Sequence, residues 1–96
     1  MSEEKLIERL IQIRKQHQQV IIDRVIEKIP DNALNNASNK KRNLVVEISL
    51  EDDELCLDLE EITDSVVEWC ENQGFTITGI NYRDDLRGSS FTLSGW

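Results

Sequence analysis

Two apolar clusters at helical spacing, set ahead of a proline at position 30, constrain this 96-residue chain more than any other feature. Leu6, Ile7, Leu10, Ile11 and Ile13 form the first cluster. Val20, Ile21, Ile22, Val25, Ile26 and Ile29 form the second. Ser2 offers a hydroxyl to cap the helix, and Glu3 and Glu4 favour its positive end. Lys28 suits the C-terminus, and Pro30 is expected to stop the run, because proline lacks an N–H and clashes with the preceding turn. Between the clusters, Arg14 to Gln19 is polar on every side. A continuous helix over residues 3–29 would be about 40 Å long at ~1.5 Å per residue, longer than a domain of this size is wide. Such a helix must project beyond the body or break at the polar stretch. A projecting amphipathic helix commonly meets its own copy. Leu6, Leu10, Ile13, Ile21, Val25 and Ile26 are therefore expected at a homodimer contact, with Gln16, Gln18 and Gln19 able to pair across it.

The pattern then changes. Residues 30–43 are rich in Asn, Ser and Asp, sustain no apolar period and read as a linker. Leu44 to Leu50 alternates, with Leu44, Val46, Ile48 and Leu50 on one face, which predicts a half-buried strand. Glu51 to Glu54 is a turn, and the alternation over Leu55–Leu59 suggests a short second strand. Residues 60–73 predict a helix with Ile62, Val66, Trp69 and Cys70 inward and Gly74 as its left-handed cap. Phe75–Tyr82 is a strand with a bulge expected at Gly79, where the apolar phase slips. A hairpin loop over 83–88 leads to a last strand, with Phe91 and Leu93 inward. The expected fold is α+β: a long N-terminal helix (1–29), a linker (30–43) and a body (44–96). In the body, a mainly antiparallel sheet of three or four strands carries one helix on a face. The whole is short enough to be one domain.

Charge is segregated along the chain. Residues 1–42 hold nine Lys or Arg against six Asp or Glu, whereas residues 43–82 hold eleven acids and no cation, within a net charge of −8. No stretch approaches the ~18 apolar residues of a membrane span, and the start is acidic rather than basic and apolar, so a cytoplasmic protein is expected.

Several chemistries lack their residues. A nucleophilic Cys or Ser needs a base beside it, and the one histidine, His17, falls in the polar part of the first helix. Phosphate-binding, dinucleotide-binding and zinc-hydrolase motifs are missing. Cys56 and Cys70 form no C-x-x-C pair and read as free thiols filling a core. Asp52, Asp53, Glu54 and Asp58 lack the alternation and central glycine of a calcium loop. No metal, cofactor or catalytic residue is assigned, and a binding protein rather than an enzyme is expected.

On the predicted helix, Glu60, Glu61, Asp64, Glu68 and Glu71 share an arc of roughly 100°. Their spacing of about 4.5–6 Å along the axis is on the scale of successive DNA phosphates. With Glu51, Asp52, Asp53 and Glu54 they are the expected partner-binding set. The partner would be a basic protein, of the nucleic-acid-binding kind if the face mimics DNA. An assembly role through the N-terminal helix is the alternative reading. Direct nucleic-acid binding ranks behind both, because a net charge of −8 repels phosphate unless the basic residues gather on one side.

The second half runs from a strand and an acidic turn, through a helix ending in Asn72-Gln73-Gly74-Phe75, to a hairpin ending in Ser94-Gly95-Trp96. It resembles small acidic accessory proteins of bacteriophages and mobile elements. The resemblance covers residues 44–96 and transfers no functional residue. It implies an inhibitor or modulator that binds and redirects a host protein in the bacterial cytoplasm.

Overall fold

The computed structural model describes residues 5–96. The capping roles expected of Ser2, Glu3 and Glu4 lie outside the described residues. Helix α1 (Leu6–Ser38) leads to strand β1 (Asn43–Ser49), a 3-10 turn (Asp52–Glu54), helix α2 (Leu59–Asn72), and strands β2 (Thr76–Tyr82) and β3 (Gly88–Ser94). The fold is α+β. The sheet order is β1-β3-β2, with both pairings antiparallel. Both helices lie on one face, α1 against α2 and β1, and α2 against β2 and β3.

The core follows the alternation. Leu44, Val46 and Ile48 of β1 pair with Leu93, Phe91 and Ser89 of β3, and all six are buried beneath the helices. From α2, Ile62, Thr63, Val66 and Cys70 are fully buried; from α1, Ile21, Ile22 and Ile29 close the layer. Thr63 donates to the Leu59 carbonyl (2.8 Å), so the 2.7 Å bond between Thr63 and Ser89 has the serine as donor. The opposite face of the sheet carries Val45, Glu47, Ser49, Thr76 and Thr78 and is open to solvent.

Of the two paths left open for the N-terminal helix, α1 takes the continuous one, and it departs from expectation in two further ways. It is continuous through Arg14–Gln19 and, at 33 residues, about 50 Å long. It also runs through Pro30, so residues 30–38 of the expected linker are helical and only 39–42 turn. Pro30 sits on the exposed side, where water can take the carbonyl that loses its partner, while Ile29 and Ala33 beside it pack on the core and hold the path. Finally, Gln18 is not a solvated residue. It is 2% exposed, and its Oε1 accepts the Asp58 N–H at 3.0 Å, joining α1 to the start of α2.

The strand expected at 55–59 does not form. Glu51 and Glu54 close a reciprocal capping box around the 3-10 turn, Leu55–Leu57 stay irregular, and Asp58 caps α2 by accepting the Glu61 N–H at 3.1 Å. Capping chemistry at both ends of this short segment outcompetes its alternation, leaving three strands. The helix α2 itself and the bulge match the reading: the β2–β3 register shifts between Thr78 and Asn81, with Gly79 at φ 64°.

Candidate protein-docking surfaces

The carboxylates of α2 are placed by its helical period. Glu60, Asp64, Glu68 and Glu71 are exposed along one flank. Glu61 differs: it turns toward α1, is half-buried and lies 3.6 Å from the Arg14 guanidinium. Arg14 thus links the helices and removes Glu61 from the free acidic row. In the 3-10 turn, Asp52 pairs with Arg87 at 2.9 Å. The third ion pair among the described residues is Arg83–Asp85, so none involves Glu60, Asp64, Glu68 or Glu71.

Beside the start of this row, Leu55, Leu57, Asp58, Leu59, Glu60, Tyr82 and Leu86 line a surface hollow of about 410 Å³. Leu55, Tyr82 and Leu86 are exposed. Burial pushes the Tyr82 hydroxyl pKa up, and the nearby Asp64 and Glu60 carboxylates add to the shift. Exposed apolar side chains rimmed by unpaired carboxylates can receive a segment carrying both apolar and cationic groups. Sequence reasoning missed the hollow, because Tyr82 and Leu86 reach Leu55 only through the sheet order.

The residues expected at a dimer contact divide. Leu6, Leu10 and Ile13 stand 72%, 51% and 48% exposed on the part of α1 that precedes its first buried residue, Gln18. Ile21 is buried in the core, and Val25 and Ile26 are half-buried against it. Of the six, only the first three are exposed. Gln18 is likewise committed within the chain.

The acidic turn brings the carboxylates of Glu51, Asp53 and Glu54 within 4.8 Å of one another. The capping box, in which the Glu51 and Glu54 side chains accept backbone N–H groups, brings those two together, and Asp53 lies in the same 3-10 turn.

The thiols have separate settings. Cys70 is fully buried, and desolvation pushes its pKa from the ordinary 9.0 to about 11, which leaves it protonated and inert at neutral pH. Cys56 is exposed, which corrects the expectation that both thiols fill a core. The fold brings His17 and Cys56 to the lining of one depression of about 350 Å³. The Cys56 thiol approaches the Asp53 carbonyl at 4.0 Å, and no hydrogen bond joins it to His17 among the described residues. A nucleophile–base pair is not assembled there.

No helix among the described residues is long and apolar enough to cross a membrane. No family model, curated protein or solved structure matches the chain.

Proposed function

We propose that the protein is a non-enzymatic modulator that docks the acidic flank of α2 on the basic surface of another protein. A nucleic-acid-binding site is the natural target, occupied in the manner of a DNA mimic. The observation that carries this reading is the exposed row Glu60, Asp64, Glu68 and Glu71, none of which has an ion-pair partner among the described residues. Carboxylates at successive turns are about 4.5–6 Å apart along the axis, and an unneutralised row steers toward positive clefts. The adjoining hollow at Tyr82 and Leu86 adds apolar area, which charge alone does not supply.

The test uses the triple reversal of Glu60, Asp64 and Glu68 to lysine, all three exposed. Wild-type protein immobilised in bacterial lysate should retain a basic protein at low salt and release it to competing duplex DNA. The reversed protein, with an unchanged circular dichroism spectrum, should retain nothing. Retention by both proteins would remove the α2 flank from the contact.

A second reading, assembly through α1, is favoured by the exposed Leu6, Leu10 and Ile13. Leu10→Asp should halve the mass seen by light scattering if α1 joins two copies; an unchanged mass removes α1 from any interface.

A further inference from the structure

We propose that the free edge of β1 is a second docking site, which takes an extended segment of an acidic partner as a fourth strand of the sheet. The two edges of the sheet are unlike. β2 is interrupted by the bulge at Gly79, which disturbs the row of backbone groups a new strand would need. β1 pairs with β3 over all seven residues without a register shift, and it contains no proline or glycine.

The ladder tells which backbone groups face outward. The Leu50 N–H donates to the Arg87 carbonyl at 2.7 Å, continuing the β1–β3 register by one residue. Antiparallel pairs alternate, so Leu44, Val46 and Ile48 also bond to β3. Asn43, Val45, Glu47 and Ser49 then direct their N–H and C=O groups to the free edge. The Asn36 side chain confirms the direction, donating to the Asn43 carbonyl at 2.9 Å. Among the described residues, no other side chain hydrogen-bonds to this edge.

A groove of about 310 Å³ runs along the same edge, between β1 and α1. Ile21, Val25, Ile29 and Leu44 supply its apolar floor, and Arg24 and Lys28 of α1 rise exposed above it. Neither cation is in an ion pair among the described residues. An added strand places alternate side chains on the helix side, where apolar groups meet the floor and carboxylates meet Arg24 and Lys28. The exposed acids belong to α2, which packs beside α1 at the usual interaxial spacing of about 8–10 Å, a distance at which salt screens much of their repulsion. A second copy fits less well. Pairing β1 with its own symmetry mate would set Arg24 and Lys28 of both copies against each other.

The probe is a capped seven-residue peptide matched to β1, with valine and glutamate taking turns at every second position, so that both fall on one face, and threonine between them; it is titrated into isotope-labelled protein. The amide signals of Val45, Glu47 and Ser49 should shift saturably, and their hydrogen exchange should slow. Reversing Arg24 and Lys28 to glutamate should weaken binding about tenfold, as expected for two exposed ion pairs, and the valine–lysine peptide should bind more weakly than the glutamate one. Glu47→Pro removes an outward N–H at a position where an edge strand accepts proline, and should abolish the shifts. Absence of saturable shifts at β1, shifts centred on β2, or equal affinity after charge reversal would overturn the proposal. So would the same shifts appearing without peptide as protein concentration and mass rise, since the edge would then belong to a second copy.

Discussion

The two helices share one face of the sheet but are used differently. Of the 14 residues of α2, six are buried, and its exposed acids fall on a single flank. Of the 33 residues of α1, four are buried, all between Gln18 and Ile29, and the first turns carry Leu and Ile into solvent. Helix α2 is therefore a structural element with a charged outside, whereas α1 is anchored in its middle and free at its start. The helix ends differ too. Both close with paired bonds from the two residues after the cap, Gly74 and Phe75 on α2, Lys40 and Lys41 on α1. The left-handed residue is glycine on α2 (φ 95°) but lysine on α1 (φ 64°), where a Cβ is strained.

The largest expected difference is in packing. Ile62→Ala in α2 should cost about 2–5 kcal/mol in denaturant unfolding, while Leu10→Ala at the free end of α1 should stay within about 0.5 kcal/mol. Equal costs would mean that the start of α1 is buried in solution, against another copy or another protein.

A second test follows from Cys70. The folded thiol holds its proton to about pH 11, whereas the unfolded one releases it near 9.0. Between these values the unfolded state binds fewer protons, so stability should be unaffected below pH 9.0 and fall as pH rises toward 11. The loss should reach about 3 kcal/mol. Unfolding curves of the wild type and Cys70→Ala across this range measure it, since the variant lacks the slope due to the thiol. Parallel curves would show that water reaches the α2 core.

The junction between the helices is sharpened by Gln18→Ala, which leaves the Asp58 N–H without its acceptor and should cost about 1–3 kcal/mol. Gln16→Ala, two residues earlier and exposed, should stay within about 0.5 kcal/mol. If the two variants unfold alike, α1 is not tied to α2 at this point.

The smallest effect concerns the caps. Lys40→Gly should stabilise the fold by about 1 kcal/mol, and Gly74→Lys should cost a similar amount. A loss of stability in Lys40→Gly would show that the lysine side chain supports the turn.

What could be read in advance divides along the same line. The burial of Val46, Ile48, Ile62 and Val66, the cap at Gly74 and the bulge at Gly79 were legible, because each rests on spacing or on the conformational freedom of one residue. The acidic flank of α2 was legible for the same reason. The end of α1 was not, since Pro30 is a stop signal that packing of Ile29 and Ala33 overrides, and Lys40 carries no mark of a left-handed cap. Nor was the buried state of Gln18, whose partner lies forty residues away.

The sequence by itself determined the α+β class, the inward faces of the strands and of α2, and the segregation of charge, because local period and composition suffice for these. Only the tertiary structure decided that Glu61 is paired with Arg14 while Glu60 is not, that Ile21 is core while Leu10 is free, and that β1 rather than β2 presents a regular edge. Those outcomes depend on which elements become neighbours, and that is settled by the joint packing of side chains distant in sequence.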